Sequence, residues 1–515
     1  PDVLGHYQQR FGQILVDEFQ DTNAVQYAWL RLLAGTSSDV TAVGDDDQSI
    51  YGWRGAKVEN ILSFERDFAD TETIKLEQNY RSTSNILKAA NAVIAKNADR
   101  LGKNLWTESG EGEPIALYAA FNEHDEARYI ADRLADWIAN GNRRDDSAIL
   151  YRSNAQSRVL EAALLQAEIP YRIYGGQRFY ERLEIKNALC YLRMMLNCHD
   201  DVAFERVVNI PPRGIGDRTL EQIRELSRAS GCSLWEASNT MVNEKRLTAR
   251  AANSVSGFMV LINEMSGQLD ELPLSEQAEN AIQHSGLVDM HRREKGERGQ
   301  ARVENLEELV NACKNFEAED SDAPVLPQFL DQVALDAGDR QAEQDEDAVQ
   351  LMTLHSAKGL EFPMVFLAGM EENLFPHKMS IDEPGRLEEE RRLAYVGITR
   401  AMQKLTMTFA ETRSTYGTES FNSVSRFIRD IPKEVVEEVR LHNSISRPTT
   451  YAAPRISDEG SDTGFQLGQQ VRHNVYGDGI ILNFEGNGPR ARVHVAFDDV
   501  GTKILILASA NLAAL

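Results

Sequence analysis

The chain has 515 residues, enough for two to four domains that each bury a core. Its composition, 42% hydrophobic and 26% charged, reads as an ordinary soluble protein, and no apolar run approaches the roughly 20 residues that cross a bilayer. A formal net charge of −25 with pI near 4.9 repels a phosphate backbone, so nucleic-acid binding would have to come from local basic or aromatic clusters.

Cys190, Cys198, Cys232 and Cys313 form no CxxC pair and have no His at zinc-finger spacing, which predicts free thiols in a reducing cytosol. The chain opens on Pro1 rather than Met, and an N-terminal portion is expected upstream.

Taken in order, residues 13–23 come first. Ile14, Leu15 and Val16 have the bias of a strand buried on both faces, and Asp17 and Glu18 follow at once. A parallel α/β sheet takes its ligands at the carboxyl ends of its strands. In a nucleoside triphosphatase an Asp there holds Mg²⁺, and a neighbouring carboxylate positions or deprotonates water. On the dipeptide alone, a solvated turn is the simpler reading.

A helix over 27–33, a strand over 40–43, a helix over 58–68 and a strand near 73–76 continue a parallel α/β pattern. A second α/β unit begins near Asn79, with a helix over 84–96, strands at 115–118 and 148–151, a helix over 155–167 and a strand at 171–174. Helical periodicity without strand signals over 179–345 reads as an insertion, closed by an acidic connector at 336–347. The α/β pattern resumes with strands at 349–354 and 364–367, a helix over 387–402 and a strand at 405–409. Residues 443–463 read as a flexible linker. Strands at 470–473, 479–484, 492–497 and 503–507 then predict a small Tudor- or SH3-like barrel.

Several stretches carry chemistry beside a bland reading. In Gly44 to Ala56, Gln48 offers an amide to a γ-phosphate or attacking water, while Tyr51, Trp53 and Arg54 offer planes on which bases stack. The bland alternative is an Asp-rich loop with core aromatics. Arg81 and Arg400 suit phosphate oxygens, although each alone is more simply a surface ion pair. Thr353, His355 and Lys358 end a strand where a DNA phosphate would fit, and Glu361 can accept from a ribose hydroxyl. Arg213-Gly214-Ile215-Gly216 is either a phosphate-approaching turn or a plain helix–helix turn. Residues 411–417 can form a hairpin with Tyr416 near its tip, where an aromatic would wedge against a base pair.

In this order, residues 16–23, 44–56, 78–82, 353–362 and 396–401 closely resemble superfamily 1A DNA helicases of the UvrD/Rep group. The terminal β-module favours the UvrD branch. The resemblance implies an α/β architecture of two RecA-like parallel-sheet domains, the first incomplete, with a helical insertion domain and a C-terminal Tudor/SH3-like barrel. It partitions the chain into the end of accessory domain 1B (1–11), domain 1A (12–77), domain 2A (78–178 and 346–442), domain 2B (179–345), linker (443–463) and barrel (464–515).

It further implies an ATP- and Mg²⁺-dependent 3′→5′ helicase of DNA repair, mismatch and nucleotide-excision, and of replication. Asp17 would bind Mg²⁺ and Glu18 would be the general base. Gln48, Arg81 and Arg400 would meet the γ-phosphate, and Glu361 the ribose. Tyr51, Trp53, Arg54, Arg152, Thr353, His355 and Lys358 would line the single-strand path. Arg213, Gly214, Ile215 and Gly216 would hold duplex, and Tyr416 would separate it. Partners would be single-stranded and duplex DNA, repair factors or RNA polymerase at the barrel, and other copies on DNA, in the cytoplasm and with no membrane.

One departure stands out. No Gly-x-x-x-x-Gly-Lys-Ser/Thr loop occurs, and Gly102-Lys103-Asn104 lacks the spacing and the hydroxyl. The 515-residue piece is therefore expected to hydrolyse ATP barely on its own. The alternative to a motor is a non-catalytic scaffold that recruits partners through the barrel.

Overall fold

Alternating apolar strands and amphipathic helices produce two parallel sheets, one small and one large. The computed structural model describes residues 2–35, 39–68, 70–98, 100–269, 271–294, 296–318, 323–338, 346–381, 383–415, 418–439, 470–473, 477–485, 492–497, 501–506 and 512–514. It divides into two units, Pro1–Arg440 and Leu441–Leu515.

In the first lobe, β1 (Gln13–Val16) pairs in parallel with β2 (Asp39–Ala42), Val16 opposite Ala42. The helix Ala24–Ala34 starts from a reciprocal cap. The Asn23 side chain accepts from the Val25 and Gln26 N–H groups, and Gln26 accepts from the Asn23 N–H. Phe19, Tyr27 and Leu30 cover one face. The expectation of strands buried on both faces fails here. Leu15 is 81% exposed, because this two-stranded sheet has only one face covered among the described residues.

Two further differences lie between residues 58 and 76. The helix expected over 58–68 breaks at Ser63 into Glu59–Leu62 and Phe64–Asp67. Residues 73–76 pair with no described strand, and Lys75 instead donates to the Leu101 and Gly102 carbonyls.

The second lobe is a seven-stranded sheet, all parallel, built from β3 (Ile115–Ala120), β4 (Ser147–Tyr151), β5 (Tyr171–Ile173), β6 (Val349–Thr353), β7 (Phe362–Leu367) and β8 (Ala401–Ala410). An antiparallel hairpin follows, β9 (Thr412–Thr415) with β10 (Thr418–Phe421), and β11 (Val436–Glu438) completes the sheet. The order is β11-β3-β8-β7-β4-β6-β5. The strands before and after the helical insertion thus interleave in one sheet. The helix Arg386–Ile398 ends before the expected 402, since the Thr399 hydroxyl turns back to the Tyr395 and Val396 carbonyls and β8 begins at Ala401. The helix Glu123–Ala139 was not anticipated.

Helices from Leu183–Leu196 to Val325–Gly338 form the insertion around Tyr191, Phe204, Phe258, Leu306 and Leu309. Its helix Glu297–Lys314 meets the sheet domain through polar groups. Glu304 accepts from the Ser153 hydroxyl at 2.5 Å, and Glu308 takes Arg158 at 2.6 Å.

The second unit contains β12 (Gln470–His473), β13 (Gly477–Glu485), β14 (Arg492–Phe497), β15 (Gly501–Ile506) and β16 (Leu512–Ala514), antiparallel in the order β15-β14-β13-β12-β16. Val471, Val493, Val495 and Phe497 make its core. The Ala-rich β16 adds a strand to the four expected. The predicted linker lies outside the described residues. No described helix is long and apolar enough to cross a membrane.

Candidate nucleotide and nucleic-acid site

The parallel register of β1 and β2 sets the Asp17-Glu18 turn beside the loop that follows β2. Gln20 joins the two: its amide donates to Glu18 Oε2 at 2.6 Å, and its oxygen accepts the Asp45 N–H at 2.9 Å. Asp17 accepts the Glu18 N–H at 2.8 Å. Glu18 adopts φ 49°, ψ 42°, a left-handed conformation that costs a non-glycine residue about 1 kcal/mol and is typical of functional turns. Both carboxylates are exposed.

Gln48 donates to Asp45 Oδ2 at 2.7 Å. Ligand oxygens of Asp45, Asp46 and Asp47 lie within 4.8 Å of one another, the spacing of a cation cage. All three are engaged across the lobe boundary instead. Arg100 grips Asp47 at 2.7 and 2.6 Å, Lys103 pairs with Asp45, and the Leu101 N–H donates to Asp46. Burial raises the Asp46 pKa. The acidic run is thus a docking surface between lobes. Ile50, fully buried, extends the same contact into the core of the second lobe.

On the second lobe, Arg81 pairs with Glu361, so the two residues expected on phosphate and ribose hold each other. Arg400 is 2% exposed. Its donors go to the Val396 carbonyl at 3.0 Å, the Leu360 carbonyl at 3.0 Å and the Thr399 hydroxyl at 3.1 Å. No carboxylate among the described residues forms an ion pair with it. Burial, then the neighbouring Arg81, pulls its pKa down to about 10. Glu361 and Asp45 act on it from outside contact distance, so this buried cation is only partly compensated, and an arriving polyphosphate would relieve it. The hard oxygens of Asp17 and Glu18 likewise suit Mg²⁺. The residues present fit a magnesium nucleotide.

The aromatic loop 51–54 packs on the turn after β6. The Tyr51 hydroxyl donates to the His355 carbonyl at 3.3 Å, Trp53 meets the His355 ring edge-on at 6.5 Å, and Arg54 lies over both Tyr51 and Trp53. Trp53 remains 37% exposed. Burial, then Arg152, drives the His355 pKa down to about 3, so its imidazole is neutral. The Thr353 hydroxyl bonds Ser356.

Four residues expected on DNA are committed elsewhere. Lys358 reaches across to Asp21 at 2.6 Å, Glu18 at 3.2 Å and the Gln48 carbonyl at 2.9 Å. Arg152 is buried against Glu390, which it binds at 3.0 and 2.7 Å. Arg213 donates to the Val207, Pro211 and Ser285 carbonyls, closing its own turn, and Ile215 is fully buried. Only the exposed backbone of Gly214 (φ 80°) and Gly216 remains open at that turn. Tyr416 lies outside the described residues, between β9 and β10.

Sequence reasoning missed Gln20, Arg100, Lys103, Glu389 and Glu390. For Arg100 and Lys103 the signal was a basic pair able to complement Asp45–Asp47; for the two glutamates there was none beyond a charged helix.

Three family profiles match the chain: the UvrD/REP helicase N-terminal domain over residues 1–69, the UvrD-like helicase C-terminal domain over 74–412 and the PcrA/UvrD tudor domain over 467–513. DNA helicase II of Escherichia coli is 58% identical over 514 residues, covering 99% of this chain and 71% of that protein. DNA helicase II of Haemophilus influenzae is 52% identical over 516 residues, with the same coverage. The ATP-dependent DNA helicase PcrA of Bacillus subtilis is 43% identical over 536 residues, covering 99% of this chain and 72% of that protein.

Proposed function

We propose, from the premise that this chain belongs to the UvrD-like helicase family, that it acts as an ATP-driven motor on single-stranded DNA and separates duplex. The observation that carries this reading is Arg400, a buried guanidinium that pairs with no carboxylate among the described residues and lies beside Arg81. A scaffold would leave that unfavourable burial without a use.

Bound ATP and Mg²⁺ would supply the transferable phosphoryl group and a counter-charge for its oxygens. Asp17 would hold the cation, and Glu18 would take the proton of the attacking water on its exposed carboxylate. Gln48 orients that water or the γ-phosphate once its amide leaves Asp45. Arg81 and Arg400 neutralise developing charge, and Glu361, released from Arg81, accepts from the ribose. Tyr51, Trp53, Arg54, Thr353 and His355 form the strand path, by stacking and neutral polar contact. The Gly214 and Gly216 backbone meets duplex phosphate, and the β9–β10 hairpin with Tyr416 splits it.

The domain partition given above, 3′→5′ movement, work in repair and replication, a cytoplasmic setting, self-association on DNA, and recruitment of repair factors or RNA polymerase by the terminal sheet complete the reading. Because no Gly-x-x-x-x-Gly-Lys-Ser/Thr loop occurs among these 515 residues, the reading has them hydrolyse ATP barely by themselves.

The test is Glu18→Gln in the intact protein. ATP binding is retained while DNA-stimulated turnover falls by about 10²-fold or more. Near-normal turnover would remove the general base and the reading with it.

A further inference from the structure

The helix Arg386–Ile398 bears Glu389 in its first turn, and its Oε1 accepts the Gly52 N–H at 2.8 Å. The bond spans 337 residues of sequence and joins the second lobe to the first. Gly52 stands between Tyr51 and Trp53 and opens the 3₁₀ turn Gly52–Arg54. A Cβ at position 52 would lie 2.8 Å from one Glu389 oxygen and 3.1 Å from the other. A side chain there would push the carboxylate back from its present position.

The surroundings do not favour this carboxylate for its own sake. Burial pushes its pKa up and the carboxylates of Glu297 and Glu390 add to that, while the Gly52 N–H and the Arg386 guanidinium oppose it. A half-buried anion among like charges is retained at a cost, and the loop that carries the aromatic platform donates the hydrogen bond it accepts.

The same helix serves the nucleotide side. Its Val396 carbonyl fixes Arg400 Nε. At about 1.5 Å per residue, Glu389 and the Val396 that holds Arg400 stand roughly 10 Å apart along one rigid element. Its next residue, Glu390, clamps the Arg152 that flanks His355.

We propose that Glu389 is a positioning residue that ties the Tyr51–Arg54 loop to the helix whose Val396 carbonyl holds Arg400, so that strand binding is transmitted to the nucleotide site. When a base stacks on Tyr51 or Trp53 and shifts Gly52, the carboxylate carries the shift to the helix. By reciprocity, nucleotide held at Arg400 changes the strand affinity of the loop by the same factor. This rests on the motor reading above.

The experiment measures (dT)16 affinity of the intact protein by fluorescence anisotropy, with and without Mg²⁺ and a non-hydrolysable ATP analogue. The ratio of the two affinities is the coupling factor. Glu389→Ala is expected to bring that ratio at least about fivefold closer to one, and Glu389→Gln, whose amide oxygen still accepts the N–H, restores most of it. Gly52→Ala attacks the bond from the other side and lowers the ratio like Glu389→Ala; it decides the matter if Glu389→Ala does not fold by circular dichroism. Wild-type coupling in folded Glu389→Ala or Gly52→Ala, or a Gln variant no better than Ala, overturns the proposal. Absence of any coupling or DNA-stimulated ATPase in the wild type instead defeats the motor reading.

Discussion

Arg400, just before β8, and Arg152, just after β4, lie in one lobe, and both side chains are largely withdrawn from solvent. Arg152 has a buried carboxylate, Glu390, on two of its nitrogens. Arg400 has two carbonyls, a hydroxyl and another arginine nearby. The first arrangement is self-sufficient and makes structure. The second rests on neutral acceptors, with Glu361 and Asp45 only at longer range, and leaves room for an anion from outside. Burial and sequence position do not separate ligand-binding arginines from structural ones; the presence of an internal counter-ion does.

That contrast is broken most directly at Arg400. Arg400→Met should lower ATP turnover by about 10³-fold or more, as loss of an arginine finger does. Thermal melting should show no loss of stability, because an only partly compensated buried charge has been removed. A variant that melts clearly earlier would make Arg400 structural. Arg152→Met should do the opposite, destabilising the fold by about 3–5 kcal/mol in urea titration because Glu390 is left buried and unpaired. Replacing Glu390 with Leu in that background should recover much of the loss.

His355 sharpens the same comparison through pH. Its folded pKa, about 3, lies below the unfolded value near 6.5. The unfolded state therefore binds the extra proton between those values, and stability falls as pH drops through that window. At pH 5 this amounts to at most about 2 kcal/mol relative to pH 7. His355→Asn should lose that share of the pH dependence in denaturant melts at the two pH values. An unchanged slope would mean that the imidazole is charged in the fold.

The acidic turn after β1 was legible because an apolar strand followed at once by Asp17 and Glu18 is a local pattern. The platform Tyr51–Arg54 was legible for the same reason. What could not be read was the bookkeeping of partners. Lys358 is drawn to Glu18 and Asp21 by contacts 337 residues or more apart, and Leu15 is exposed because of which layers cover β1, neither of which a local pattern encodes. The helix Glu123–Ala139 is a different case. Asn122 caps it and Ala127, Ile130, Ala131 and Leu134 repeat at helical spacing, so the signal was present and unread.

Arg213 gives the smallest effect and the finest test. A guanidinium that contacts a DNA phosphate contributes about one unit to the slope of log affinity against log salt. Arg213 spends its donors on three carbonyls, one of them Ser285, 72 residues away, and stacks over Tyr191 and Phe258. Arg213→Ala should therefore leave the salt slope of duplex binding unchanged while lowering the melting temperature. Arg218, exposed one turn later on the helix Asp217–Ser230, supplies the contrast. If the turn holds duplex through Gly214 and Gly216, Arg218→Ala should reduce the slope by about one unit. A slope that drops at Arg213 and not at Arg218 would place the phosphate on the guanidinium that the fold has already committed.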